Sequence, residues 1–256
     1  MIANISDIQH FSLGDGEGIR TTVFFKGCNL HCPWCHNPET ISPKPQILRY
    51  NNSLHKRQCG KLIPVDEIFK QIMLDRDFYV ESGGGVTISG GESMLQADAA
   101  RELAELLCKE HIHVIMDTAG DVPYTEFEKV NPFIALYFYD VKACNEEDYR
   151  RVIGGDFSRI YGNMKRLVAV GKKVRARVPL IPGFNTADSY SERICECLLL
   201  AGIEEVDLLP FHRLGEAKYK ALGKNYAYRA NPPMSFEEAD NIADIYRKYF
   251  RVRIEK

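Results

Sequence analysis

The stretch Gly27-Cys28-Asn29-Leu30-His31-Cys32-Pro33-Trp34-Cys35-His36-Asn37-Pro38 sets three cysteines in a CxxxCxxC spacing directly after the apolar run Thr21–Phe25. Three thiolates on one tight loop make a metal site. A cubane [4Fe–4S] cluster is held by cysteine thiolates, so three ligands would leave an iron open for chemistry. A structural zinc site needs a further donor, which His31, His36 or Cys59 could supply. Cys32-Pro33-Trp34-Cys35 alone could form a thioredoxin-like redox pair, but that motif has no use for Cys28.

The chain has 256 residues, 45% of them hydrophobic, which is enough to bury a substantial core. No linker divides it, so a single domain over residues 1–256 is expected. With a net charge of −2 and Lys and Arg scattered along the chain, neither nucleic acid nor membrane is expected as a partner. No apolar run approaches the roughly 18 residues of a membrane span. The start, Met1 to Asp7, lacks the basic and apolar regions of a signal peptide, so a cytoplasmic location is expected. In that reducing compartment eight cysteines point to metal ligation or burial, not to disulfides. Cys108, Cys144, Cys195 and Cys197 lack ligand spacing and are expected to be buried and inert.

Short β-branched runs alternate with helical patterns. Strands are expected at Thr21–Phe25, Val86–Ser89, His113–Asp117, Ile134–Val141, Val174–Leu180 and Glu205–Pro210. Helices are expected at Pro64–Tyr79, Gln96–Glu110, Tyr124–Val130, Glu146–Ile153, Phe157–Val170 and Ser189–Ala201. This alternation predicts an α/β protein with a parallel sheet, closed partway into a (β/α)6 TIM-like barrel.

In such barrels the ligand site lies at the carboxyl ends of the strands. The unusual polar clusters fall there. The cysteine loop follows the first predicted strand, Ser89-Gly90-Gly91-Glu92 the second and Asp117-Thr118-Ala119-Gly120 the third. Asp140 and Lys142 follow the fourth, Pro182-Gly183-Phe184-Asn185 the fifth (with Arg177 inside that strand), and Phe211-His212-Arg213 the sixth. Each has an ordinary reading: a glycine turn, a helix cap, a solvated lysine, a structural ion pair. Their recurrence at six successive strand ends argues for one shared mouth.

These residues make the chain resemble the radical-SAM enzymes, and within them the glycyl-radical-enzyme activases. The stretch Asp15-Gly16-Glu17-Gly18-Ile19-Arg20 is similar to the activase pattern DGPGIR, and Leu209-Pro210-Phe211-His212 also matches. The resemblance extends through Phe24–Cys28, Cys35–Asn37, Gly85–Glu92, Asp140–Lys142 and Pro182-Gly183. It implies a partial barrel of the radical-SAM type in which Cys28, Cys32 and Cys35 hold one [4Fe–4S] cluster that binds S-adenosylmethionine. Gly90 and Gly91 would border the methionine amine, where a Cβ on either would obstruct the approach, Glu92 would be among the cofactor-binding residues, and Trp34 would lie near the adenine. Asp117, Lys142, Arg177 and His212 would complete the cofactor contacts, with Lys142 also in the catalytic set. Asp117, Asp140 and the backbone of Thr118 and Phe138 match a monovalent-cation site. Asp15 and Gly16 would read the backbone of an extended substrate peptide.

The activity so implied is reductive cleavage of S-adenosylmethionine and abstraction of a hydrogen atom from a glycine of a partner glycyl-radical enzyme. An electron donor such as flavodoxin or ferredoxin would be needed, and a monomer is expected. Many activases carry an insert with further cysteines after the first motif; here Cys59 stands alone, which looks like the short, single-cluster form. A radical-SAM enzyme acting on a small molecule is the alternative, and a zinc-stabilised binding protein is the reading from a different class.

Overall fold

The computed structural model describes residues 1–50 and 54–255. Strand β1 (Ile2–Ser12) runs antiparallel to β2 (Arg20–Phe25), and the cysteine loop then leads into the short helix α1 (Pro38–Ile41). A hairpin of β3 (Gln46–Tyr50) and β4 (His55–Cys59) follows, then β5 (Lys61–Pro64), which pairs with β1. The remaining elements are α2 (Val65–Ile72), α3 (Arg76–Ser82), β6 (Gly85–Gly90), α4 (Ala97–Lys109), β7 (His113–Thr118) and α5 (Tyr124–Val130). After them come β8 (Leu136–Asp140), α6 (Glu146–Asp148), α7 (Phe157–Ala169), β9 (Val174–Leu180), α8 (Asp188–Leu200) and β10 (Glu205–Pro210). The chain closes with α9 (Glu216–Ala221), α10 (Phe236–Arg247) and β11 (Arg251–Ile254).

The main sheet has the order β11-β10-β9-β8-β7-β6-β2-β1-β5, with every pair from β2 through β11 parallel. The six expected strands are therefore neighbours in chain order, as a half-closed βα barrel requires. Short β11 adds a seventh parallel strand at one edge. Antiparallel β1 and β5 extend the other edge, which the sequence reading did not anticipate.

Two expected helices are broken. Pro64–Tyr79 becomes α2, a 3-10 turn (Met73–Asp75) and α3, because Asp75 is drawn inward. Its carboxylate accepts from Thr21 Oγ1 (2.6 Å) and pairs with His10 Nδ1 (2.5 Å). Glu146–Ile153 becomes α6 and a π turn (Tyr149–Ile153) that stops at Gly154, whose φ of 87° is left-handed. Such π turns tend to sit at functional sites, and this one supports the cysteine loop.

The helices bury apolar lines against the outer face of the sheet; in α4 the line is Ala100, Leu103, Ala104 and Leu107. Cys108 lies off that line and is exposed, so the expectation that it is buried fails. Cys195 is buried as expected, while Cys144 and Cys197 are half-buried.

Candidate active site

The cysteine loop is fastened on three sides by its backbone. The N–H groups of Gly27 and Cys28 donate to Thr40 O (2.7 Å) and Ile41 O (3.0 Å), which ties the loop to α1. The His31 N–H donates to Ile153 O in the π turn (2.7 Å). From the end of β6, the N–H groups of Gly91 and Glu92 donate to Phe25 O (2.9 Å) and Gly27 O (2.8 Å).

These last contacts explain the two glycines differently from the sequence reading. A Cβ on Gly90 would fall 2.1 Å from Phe25 O, and one on Gly91 would fall 2.2 Å from Gly27 O and 3.0 Å from Cys28 Cβ. The glycines let β6 lie against the root of the cysteine loop, so they seat the thiols whatever else they touch.

All three thiols are free. Burial pushes Cys28 and Cys32 up to about 12 and raises Cys35, so loading metal means displacing protons from desolvated sulfurs. The other donors considered for zinc are engaged elsewhere or exposed. His31 is exposed. His36 stacks on His212 with ring centroids 3.8 Å apart, and burial pushes its pKa down to about 4. Cys59 donates to Glu39 O (3.5 Å), with Lys26 Nζ 3.7 Å from its sulfur.

The other strand ends close around this loop. Lys142 Nζ pairs with Asp140 Oδ2 at 2.5 Å, and its N–H donates to Tyr149 Oη (3.2 Å). Burial opposes the lysine's charge, but Asp140 and the neighbouring Cys32 raise its pKa above the usual lysine range. Asp117 Oδ2 accepts from Ser89 Oγ (2.7 Å) and lies 3.8 Å from Arg177 Nη1. Its second oxygen, Oδ1, is buried without a partner, as are Arg177 Nε and His36 Nε2. Buried polar atoms are normally hydrogen-bonded, so an unpaired acceptor on Asp117 beside an unpaired donor on Arg177 marks groups that can take a polar ligand. Desolvation and then Asp140 push Asp117 up to about 7. One buried and two half-buried thiols, an ammonium and unpaired carboxylate and guanidinium atoms suit an iron–sulfur cluster with an amino-acid ligand.

Other expected residues lie at the mouth in different roles. The Glu92 carboxylate accepts from Thr118 Oγ1 (2.7 Å) and the N–H groups of Met94 (3.0 Å), Ala119 (2.9 Å) and Gly120 (3.2 Å). With both oxygens so occupied it braces the β6 and β7 loops against each other instead of facing the mouth. Trp34 is buried beside Phe184 (4.9 Å) and edge-on to Tyr228 (6.0 Å), forming an aromatic wall. Phe138 points into the sheet's concave face with Ile115 and Leu136, and the Arg177 guanidinium lies 4.9 Å over its ring. Across β7 and β8 the backbone of Asp117 pairs with Phe138 and that of Thr118 with Tyr139, which brings Thr118 and Phe138 into neighbouring rungs below Asp140.

The loop of Asp15 and Gly16 folds up into the concave face instead of lying outside it. Asp15 Oδ2 accepts from Ser12 Oγ and from Thr22 Oγ1 (2.7 Å), and Asp15 O accepts from Thr87 Oγ1 (2.7 Å). Gly16 has φ 125°, and a Cβ there would fall 2.5 Å from Ile115 Cδ1. Three participants carried no assigned role in the sequence reading. Asn185 staples two strand ends, receiving the Ile181 N–H (2.7 Å) and donating to Pro179 O (2.7 Å) and Lys142 O (3.4 Å). Lys26 reaches Glu39 O and Gln46 Oε1 (3.2 Å) behind the cysteine loop, and Tyr149 stands behind Lys142.

Residues 22–189 match the family described as the Radical SAM superfamily. The chain belongs to that superfamily. It is 37% identical over 250 residues to the pyruvate formate-lyase 2-activating enzyme of Escherichia coli, covering 91% of this chain and 86% of that one. It is 32% identical to the trans-4-hydroxy-L-proline dehydratase activating enzyme of Clostridioides difficile, covering 94% and 95%. A radical SAM methyltransferase from Sphaerobacter thermophilus shares the fold, with a TM-score of 0.65 at 17% identity over 98% of this chain and 76% of that one. The superfamily's cofactors are a [4Fe–4S] cluster and S-adenosylmethionine, and the relatives named activating enzymes place this radical SAM chain in the activating-enzyme branch.

Proposed function

We propose that this protein is a single-cluster activase that takes a hydrogen atom from the α-carbon of one glycine on a partner glycyl-radical enzyme. The observation that carries this reading is the loop of Asp15 and Gly16, which is folded into the concave face on the same side of the sheet as Asp117 and Arg177. A small-molecule enzyme needs no peptide-reading loop there. When bound, the cluster and S-adenosylmethionine supply a carbon-centred radical.

The protein's own residues fix where that radical can react. Cys28, Cys32 and Cys35 hold the cluster, and Gly90 and Gly91 set the loop's depth. Asp117 Oδ1 and Arg177 Nε offer a buried acceptor and donor to the methionine end, with Lys142 and His212 beside them. Trp34, Phe184 and Tyr228 line the apolar side and exclude water from a reactive centre. Asp117 and Asp140, with the backbone of Thr118 and Phe138, would take a monovalent cation that offsets their mutual repulsion. The reading includes a one-domain monomer acting in the cytoplasm; no helix among the described residues is long and apolar enough to cross a membrane.

The test uses the reconstituted, chemically reduced protein with S-adenosylmethionine and a glycyl-radical enzyme encoded beside it, carrying α-deuterated glycine. A doublet EPR signal on the partner and deuterium in 5′-deoxyadenosine are expected. Label arriving from a small metabolite but not from the partner would overturn the reading in favour of a small-molecule enzyme.

A further inference from the structure

Several stretches of the chain hold no acidic residue, residues 157–187 being the longest, and two of them meet in space beside the cysteine loop. Residues 40–65 carry Lys44, Arg49, Lys56, Arg57 and Lys61, and residues 217–236 carry Lys218, Lys220, Lys224 and Arg229. The fold brings these segments together: Leu48 and Cys59 of the β3–β4 hairpin share a small core with Ala221 at the end of α9. All but Lys218 of these basic residues are exposed. Arg57 pairs with Asp7 and Lys218 with Glu39, and α9 opens on Glu216, so with a chain net charge of only −2 the remaining positive charge here is a local feature.

The hairpin pays for this arrangement. Arg49 and Lys56 are direct cross-strand partners, and like charges opposite each other destabilise a strand pair. An isolated two-stranded ribbon has little stability to lose. Folding gains nothing from the pair, so a binding role explains it better.

The basic face adjoins the cysteine loop. Lys218 Nζ donates to Asn37 Oδ1 (2.6 Å) and Glu39 Oε1 (2.7 Å), and a Cβ on Gly215 at the start of α9 would lie 2.9 Å from His36 Cα. Lys26 Nζ joins the loop's root to Gln46 of the hairpin. Asp15 and Gly16 instead lie inside the concave face, reached from the β1–β2 turn.

We infer that this face, formed by the β3–β4 hairpin and α9, docks a small acidic protein that carries single electrons. The inference rests on the activase reading and assigns a second protein to a second surface. One electron leaves the reduced carrier and enters the cluster; no bond or proton is exchanged. Complementary charge steers such an encounter and makes its rate fall with salt. The glycine-bearing partner uses the concave face, so both proteins can act in turn without competing.

The test compares the oxidised holoprotein with a variant carrying Arg49→Glu, Lys56→Glu, Lys220→Glu and Lys224→Glu. Calorimetric titration with an oxidised acidic flavodoxin reads binding without turnover, and stopped-flow bleaching of the cluster by the reduced flavodoxin reads transfer. Charge reversal should slow that bleaching about ten- to a thousandfold at low salt and weaken binding in parallel. Iron content, and deuterium transfer from the partner glycine under photoreduced deazaflavin, should stay unchanged, which keeps the activase reading separately testable. Neutral variants Arg49→Gln and Lys56→Gln should fall between. Unchanged affinity and bleaching would overturn the inference. Loss of binding to the glycyl-radical enzyme with carrier binding intact would assign the face to the protein substrate instead. RNA binding that vanishes in the variant while flavodoxin binding persists would assign it to nucleic acid.

Discussion

The mouth and the floor of the half-barrel use the same side chains to different ends. At the floor, Arg20 is fully buried and its guanidinium is spent: Nε donates to Thr87 Oγ1 (2.8 Å), and Nη2 to Val86 O (2.7 Å) and His113 O (3.1 Å). Arg175 beside it bonds Glu17 (2.7 Å) and Glu205 (2.9 Å). At the mouth, Arg177 keeps Nε unpaired and Asp117 keeps Oδ1 unpaired, though both are buried. A protein tolerates orphaned buried polar atoms poorly. Around Arg20 the floor is complete in itself, although Asp207 nearer the edge keeps both oxygens unpaired; at the mouth the orphans are an acceptor on Asp117 and a donor on Arg177, a complementary pair that a polar ligand can satisfy.

The largest expected effect tests the mouth at its centre. Replacing Cys28, Cys32 or Cys35 with Ala should abolish the cluster, read as loss of about four irons per chain and of its visible absorbance after anaerobic reconstitution. Cys59→Ala should keep the iron. Iron loss in Cys59→Ala would move that residue from the wall into the ligand set.

Next, Arg20→Ala should cost about 3–5 kcal/mol in a denaturant titration of the apoprotein, because it strands the carbonyls of Val86 and His113 and the Thr87 hydroxyl in a dry interior. Arg177→Met should do the reverse. It keeps the contact with the Phe138 ring, so stability should change by less than about 1 kcal/mol. Binding of S-adenosylmethionine to the loaded protein should weaken by about 2 kcal/mol, roughly thirtyfold, the scale of a lost hydrogen bond to a charged group. If Arg177→Met unfolded the protein and Arg20→Ala did not, the division between floor and mouth would collapse.

The parallel half of the fold was legible because its strands are short β-branched runs spaced by helices, and because chemistry gathers at their ends. Val174–Leu180 and Glu205–Pro210 are strands over the expected bounds. The amino-terminal edge was not. In β1 the buried Ala3 and Ile5 do alternate with polar residues, but irregularities after Ile5 and Gln9 break the period. The hairpin is too polar to announce itself, with only Leu48 and Cys59 buried among its described residues. Helix α10 did carry a signal that went unread: Ser235 and Glu238 form a capping box.

Within the site, sequence placed residues at the mouth but could not orient them. Glu92 looks like a ligand-facing carboxylate in sequence and is turned into the wall by the Ala119 and Gly120 N–H groups. Its burial raises the carboxyl's pKa while these donors lower it, a balance no spacing reveals. The unpaired Asp117 and Arg177 atoms at the mouth are likewise a property of packing alone.

The smallest effect concerns two floor carboxylates that share Arg175. Burial opposes ionisation of Glu17, but hydrogen bonds from Arg253 and Arg175 hold its carboxyl down at about 2. Its contribution to stability is present above the unfolded pKa of 4.5 and fades as pH falls toward 2. Asp207 is buried 3.7 Å from Arg175 Nη1 with neither oxygen hydrogen-bonded, and desolvation pushes it up to about 6. The folded state then binds its proton more tightly than the unfolded state, so stability falls as pH rises from 3.8 to about 6. Glu17→Gln should therefore flatten the acid limb of an apoprotein stability–pH curve, and Asp207→Asn should flatten the opposing slope above it. The Asp207 effect should be on the order of 2 kcal/mol and the Glu17 effect smaller, because half-exposed Glu17 is screened by solvent. Equal slopes from both variants would mean that hydrogen-bond satisfaction, which Glu17 has and Asp207 lacks, does not govern which floor carboxylates ionise.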